Sequence, residues 1–316
     1  MVLKNVKILT FACVYAIVNG KISGKGVHTM LRERIADNVY WFQSEIYAQV
    51  TAGVVVGSNW AVVIDTLATP DETLEMRGFI EDTLQMPVRY IINTIYHADH
   101  TWGNCYFPGA TVIGHSLCRM LMAERSEDAL KEMKEEYPVY ERTKIVLPSL
   151  TFDSGTLSLQ VGKKHLKIFP TPGNSPDGIS VLVREDRILF SGDAFMPLPY
   201  IVEGDVDVLA DTIRTIGKMS LENIVQGHGE IILRGEIENA TRSNLNYIAN
   251  LKKVIKAAVR IKDPTRKLLD ATVEICGKSR VLLGGQVETL HRRNLIALYQ
   301  KESGRDSAQL AIRFQA

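Results

Sequence analysis

From Ile35 to about Val225 the apolar positions fall into short runs rich in β-branched residues, cut by glycine, proline and polar pairs. Such runs predict strands. We read strands at Val39 to Phe42, Gln49 to Val56, Ala61 to Asp65, Val88 to Thr94 and Thr111 to Gly114. After Pro148 they return at Leu157 to Val161, Leu166 to Pro170, Ile179 to Arg184, Arg187 to Ser191 and Asn223 to Val225. Helices are expected from Pro70 to about Leu84, where Pro-Asp-Glu supplies an opening turn, from Ser116 to Tyr137, and from Asp207 to Met219. The charge run Lys131 to Glu136 reads as a solvated helix face. Strands then helix, repeated once in each half, predict an α+β fold of the αββα sandwich type, two packed sheets with helices outside.

The tail from Glu236 onward reads as helix broken near Pro264 and Gly284-Gly285. Leu251, Val254, Ile255 and Val259 share one helical face, suited to packing on the same domain or, as the alternative, to a homodimer interface. This divides the chain into an N-terminal extension (1–29), a core (30–236) and a helical C-terminal part (237–316). In the extension, Lys4 and Lys7 precede an apolar stretch with the outline of a secretory signal, but Val18-Asn19-Gly20 is a poor cleavage site and the stretch is short for a bilayer. A cytoplasmic location is the expectation. Secretion or periplasmic export is the alternative if 1–20 act as a signal.

Bulk composition narrows the partners. A net charge of +1, with 23% charged and 46% hydrophobic residues, gives no footprint for nucleic acid or an anionic membrane. Four scattered cysteines form no CxxC pair and suggest neither a thiolate metal knuckle nor a disulfide framework. A small-molecule substrate is the partner expected.

Chemistry concentrates where strands end. The run Val88 to Ile95 stops at Tyr96-His97-Ala98-Asp99-His100, placing two imidazoles and a carboxylate within four residues. Phe190-Ser191-Gly192-Asp193 and Val225-Gln226-Gly227-His228 end strands with one more carboxylate and one more imidazole. A glycine-rich loop, Thr171-Pro172-Gly173-Asn174-Ser175, follows another. His and Asp clusters of this kind point to a metal or catalytic site.

This motif order resembles the metallo-β-lactamase superfamily, whose signature is His-x-His-x-Asp-His at a strand end. It does so from about Ile35 to Glu236, with two departures: Ile95 stands at the first His of the signature, and Asn174 at the His of the Gly-His-Ser loop. The resemblance implies which ligands survive. Of the three imidazoles that hold one metal in dinuclear relatives, only His97 has a counterpart here. Of the four groups that hold the other, all are present as Asp99, His100, Asp193 and His228. A mononuclear site is therefore expected, with zinc as the cofactor and iron or manganese as alternatives. His97 and Asp99 are the expected catalytic residues, His97 assisting the water. Asp65 would hydrogen-bond a ligand histidine. Asn174 would contact substrate from the vacated metal position, and Tyr96 and Trp102 would wall it. The pattern is closest to the chlorothalonil hydrolytic dehalogenase group, which implies a hydrolase using metal-activated water to displace chlorine from an activated aryl chloride. The alternatives are an ester, thioester or lactone hydrolase of the same superfamily, and a non-catalytic metal-binding scaffold.

Overall fold

In the computed structural model, residues 30–305 are described; the N-terminal extension read from the sequence lies outside them. Strands β1 (Leu31–Ala36), β2 (Val39–Gln43), β3 (Thr51–Val56), β4 (Ala61–Ile64), β5 (Val88–Ile92), β6 (Thr111–His115) and β7 (Leu150–Phe152) form one sheet in sequence order. The second sheet runs in the order β13 (Ile232–Leu233), β12 (Asn223–Val225), β11 (Ile188–Phe190), β10 (Ile179–Val183), β9 (Lys164–Pro170), β8 (Leu157–Val161). The sheets face each other across an apolar layer that includes Val55, Val62, Ile92, Leu166, Val181 and Phe190. At Gly53 they approach so closely that an added Cβ would lie 2.2 Å from the Phe190 ring.

Helices cover both outer faces. On the first sheet lie α1 (Pro70–Gly78), the short α2 (Ala98–Thr101) and α3 (Ser116–Glu136). Thr69 caps α1, its hydroxyl accepting from the Glu72 amide, and Pro70 occupies the first turn, where no N–H is needed. On the second sheet lie α4 (Val206–Gly217), α5 (Ile237–Val259), α6 (Thr265–Leu269) and α7 (Val287–Ser303). Leu251 and Ile255 of α5 are buried in the same apolar cluster as Leu209 of α4 and Leu295 of α7. That helical face is thus covered within the chain. The architecture is the α+β sandwich expected. Among the described residues no helix is long and apolar enough to cross a membrane.

The pattern missed β1, β7 and β13, and all three are edge strands. β1 carries Arg32, Glu33 and Arg34 in exposed positions. An edge strand needs no continuous apolar face, and charges there oppose unwanted pairing, so alternation is blurred where it would have announced the strand.

Candidate metal centre

Pairing of parallel strands brings the polar loops to one place. β4 and β5 are parallel with Ile64 opposite Ile92, so Asp65 and the segment after Ile92 leave the sheet side by side. In the second sheet Phe190 pairs with Val225, also in parallel, so Asp193 and His228 emerge together. A bridge between Val50 and His228 and a hydrogen bond from the Thr51 amide to the Gly227 carbonyl tie the two sheets at this point.

Asp99, His100 and His228 each offer a ligand atom within 4.8 Å of the others. Asp193 Oδ1 lies 3.3 Å from His100 Nε2 and 3.5 Å from His228 Nε2, and Asp99 Oδ2 lies 3.4 Å from His228 Nε2. All four side chains are buried. The outer nitrogens of both rings are committed elsewhere. His100 Nδ1 is 2.9 Å from Asp65 Oδ2, and His228 Nδ1 is 2.9 Å from the Ala48 carbonyl. Both partners are acceptors, so each Nδ1 carries the proton and each Nε2 turns a lone pair inward. His100 Nε2 and Asp193 Oδ1 are buried with no hydrogen-bond partner. Lone pairs of nitrogen and carboxylate oxygen that converge without a donor fit a cation between them.

Backbone geometry enforces this. Gly227 precedes His228, and a Cβ there would fall 2.2 Å from Asp193 Oδ1. Asp65 has a positive φ of 58° and uses its carboxylate fully, accepting from the Thr94 amide at 2.8 Å and the Thr94 hydroxyl at 2.6 Å besides His100.

The local field is strongly negative. Burial opposes a charge on His100, but Asp65, Asp193 and Asp99 outweigh it and lift the imidazole well above its usual range, a pull on positive charge at Nε2 that a cation there would meet in place of a proton. Burial likewise opposes charge on Asp193, and His100, His228 and His97 hold it well below the usual carboxylate range. His97 Nδ1 lies 3.5 Å from Asp193 Oδ2 and its Nε2 lies 3.8 Å from Glu203 Oε2. Despite burial, these two carboxylates push His97 up to about 10.

Glu203 and Arg125 were not legible in the sequence. Glu203 receives the Tyr96 hydroxyl and lies 3.3 Å from Arg125, whose guanidinium also donates to the Tyr96 oxygen at 2.8 Å. Burial resists its charge, yet His97, Tyr96 and Arg125 hold Glu203 down at about 2. No motif marks Glu203, which sits in an irregular loop, and Arg125 reads as one more polar residue of α3. Together with His97, Tyr200 and Arg293 they line a cleft of about 830 Å³ that opens from the metal-type cluster. Lys131, Glu132 and Glu135 are exposed, as a solvated face requires, but they also line the mouth of this cleft.

The other expected site residues divide. Tyr96 and Trp102 line the cleft, although Trp102 is only 2% exposed and its ring packs edge-on against Tyr140. Asn174 does not line it: its amide donates to the Tyr200 carbonyl at 2.9 Å, and its Oδ1 is buried without a partner. Ile95 is buried in a small apolar cluster with Cys118 and Met122, so the chain supplies hydrocarbon where the signature has its first imidazole. His115 and His291 are buried and hydrogen-bonded to backbone carbonyls away from the cleft, and His165 pairs with Glu185.

Comparison with known proteins agrees with this architecture. The sequence profile of the Metallo-beta-lactamase superfamily matches residues 47–255. Human "Acyl-coenzyme A thioesterase MBLAC2" is 24% identical over 223 residues, covering 61% of this chain and 79% of that protein. The "Beta-lactamase-like protein 2 homolog" of Caenorhabditis elegans is 25% identical over 145 residues, covering 46% of this chain and 43% of its own length. Among solved structures, a metallo-beta-lactamase from Pontibacter korlensis superposes with a TM-score of 0.57 at 21% identity, covering 69% of this chain and 99% of that one. One from Hirschia baltica gives 0.55 at 17% identity, covering 67% and 96%. The fold, the ligand cluster at the strand ends and the match over residues 47–255 lead to one conclusion: the chain is a hydrolase that belongs to the metallo-beta-lactamase superfamily, whose members bind divalent metal.

Proposed function

We propose that the protein hydrolyses an ester or thioester at a mononuclear site, with one zinc ion held by Asp99, His100, Asp193 and His228. The observation that carries the metal reading is the pair of inward Nε2 atoms, tethered through Asp65 and the Ala48 carbonyl and facing two buried carboxylates. Two nitrogens and two carboxylate oxygens suit zinc and leave a coordination position open, while iron(II) and manganese(II) are the competing ions. The thioester class is supported by the name of the human relative.

Held by Asp99, His100, Asp193 and His228, a divalent cation would supply an activated water and a Lewis acid for the substrate carbonyl. The protein does the rest. Asp193 and Glu203 hold a proton on His97 between them at the cleft, so the imidazolium would act as acid when the acyl–sulfur or acyl–oxygen bond breaks. Asp99 accepts the water's proton or fixes its orientation. The largely buried Trp102 and Tyr96 close one side against bulk water. Ile95 and Asn174 support a single ion, because neither a hydrocarbon nor an amide tied to the Tyr200 carbonyl replaces an imidazole.

The same two departures favour a second reading, hydrolytic dehalogenation of an activated aryl chloride, in which the substrate carbon is aromatic rather than acyl.

Elemental analysis of the purified protein should return one metal equivalent per chain. Two equivalents would refute the mononuclear site. A panel of thioesters, esters and aryl chlorides should show turnover that Asp99→Ala and His97→Ala reduce by a factor of 100 or more. Turnover of aryl chlorides alone would establish the second reading. No turnover by a metal-loaded protein would leave the scaffold alternative.

A further inference from the structure

Tyr200 is fixed through the backbone on both sides of it, and its hydroxyl is turned to Arg293 at the cleft. Asn294 on α7 donates to the Pro199 carbonyl at 2.8 Å and accepts from the Ile201 amide at 2.8 Å. Between them, the Tyr200 carbonyl accepts from Asn174 at 2.9 Å. Asn294 is itself fixed by the Tyr247 hydroxyl, which bonds to His291. Two consecutive peptide units, 199–200 and 200–201, are thus clamped at three backbone groups by two side-chain amides from distant parts of the chain. Gly204 lets the same loop close, since a Cβ there would lie 1.8 Å from the Gly173 carbonyl oxygen.

The ring so positioned lines the cleft and is 8% exposed; its hydroxyl oxygen meets the Arg293 guanidinium, and no protein acceptor takes its proton. Such a group is costly unless something accepts its proton. Arg293, the neighbour of Asn294 on α7, stands beside this phenol and lines the same cleft. Burial keeps the Tyr200 phenol protonated; with its oxygen accepting from the guanidinium, its O–H and the remaining N–H groups of Arg293 are donors for a ligand.

We propose that Tyr200 and Arg293 form a subsite for an anionic oxygen group on the substrate, at the end of the cleft built by the C-terminal helix. The pair rests on the hydrolase reading only in placing the reacting carbonyl at the metal cluster. Arg293 lies beyond the residues matched by the superfamily profile, so this specificity belongs to the C-terminal part of the chain. The exposed carboxylates Glu124, Asp128, Glu132 and Glu135 along α3 border the mouth. They repel a polyanion, so a single carboxylate is the favoured occupant and phosphate the competitor.

Two measurements test it. Calorimetric titration of the metal-loaded protein with glutarate and with inorganic phosphate should show binding, weakened at least tenfold in Arg293→Gln and several-fold in Tyr200→Phe. Glutarate binding more tightly than phosphate identifies the carboxylate; the reverse order identifies phosphate. N-acetylcysteamine thioesters bearing a glutaryl or a hexanoyl group report on the substrate. The ratio of kcat/KM for the charged over the neutral partner should fall at least tenfold in Arg293→Gln, mainly through KM. Binding of neither anion, or an unchanged ratio in a well-folded Arg293→Gln protein, would overturn the subsite. Arg293-dependent anion binding without hydrolysis of any thioester or ester would sustain the subsite and overturn the proposed reaction.

Discussion

Asp65→Asn isolates the role of a residue that touches no substrate. Its carboxylate accepts from the Thr94 amide, the Thr94 hydroxyl and His100 Nδ1, and it is 4% exposed. Asparagine keeps the shape but has one acceptor atom. If its NH2 faces the Thr94 amide, two donors oppose each other and a buried bond is lost. If its NH2 faces His100, the ring must move its proton to Nε2, and the inward lone pair disappears. Either way the geometry of His100 is degraded. Loss of such a supporting contact costs 10- to 100-fold in metal affinity, about 1.4–2.7 kcal/mol. The assay is competition for zinc against a chromogenic chelator, with circular dichroism and a melting curve as the folding check. Asp65→Glu, which keeps the charge but not the reach, should fall between wild type and Asp65→Asn. Affinity within twofold of wild type in folded Asp65→Asn, beside a clear loss in His100→Ala, would refute the claim that the tether sets the ligand nitrogen.

Gly227→Ala should cost metal occupancy more than fold, because the new Cβ lands 2.2 Å from Asp193 Oδ1; elemental analysis should show under half an equivalent, and full occupancy would count against Asp193 as a ligand. Leu251→Ala, at a fully buried position of α5, should lower stability by about 2–5 kcal/mol in urea unfolding, and a change below about 1 kcal/mol would mean that α5 is not packed as described. Lys278 is 9% exposed, donates to Asn244 at 2.6 Å, and is pushed down to about 8 by burial. Its folded pKa lies below the unfolded value, so the unfolded chain binds more protons between about pH 8 and 10.4 and this group's contribution to stability rises with pH there. The stability difference between Lys278→Met and wild type should therefore shift by roughly 3 kcal/mol in favour of wild type from pH 7 to pH 11, and a pH-independent difference would refute a buried ammonium.

What was legible in the chain follows from short-range physics. Short apolar runs rich in β-branched residues and bounded by glycine and proline report buried strands, and the central strands β3, β5, β9 and β10 were read within a few residues. The polar endings of those runs were visible for the same reason: Asp99, His100, Asp193 and His228 each interrupt an apolar pattern just where a buried strand stops. Three of the four edge strands, β1, β7 and β13, escaped because one side of each faces no partner strand; the fourth, β8, kept enough alternation to be read.

The rest was decided in three dimensions. Asn294 and Ile201 are 93 positions apart, and His228 takes its tether from the carbonyl of Ala48, 180 positions away. A backbone carbonyl carries no side-chain signature, and a lone Glu203, Arg125 or Arg293 is indistinguishable in sequence from any surface charge. Local periodicity determined which segments would be buried and where their polar ends would fall. Only the packing of two sheets and the C-terminal helices decided which ring nitrogens turn inward, which charges meet in the cleft, and which phenol stands beside a guanidinium, because those depend on distances between segments that no one-dimensional pattern encodes.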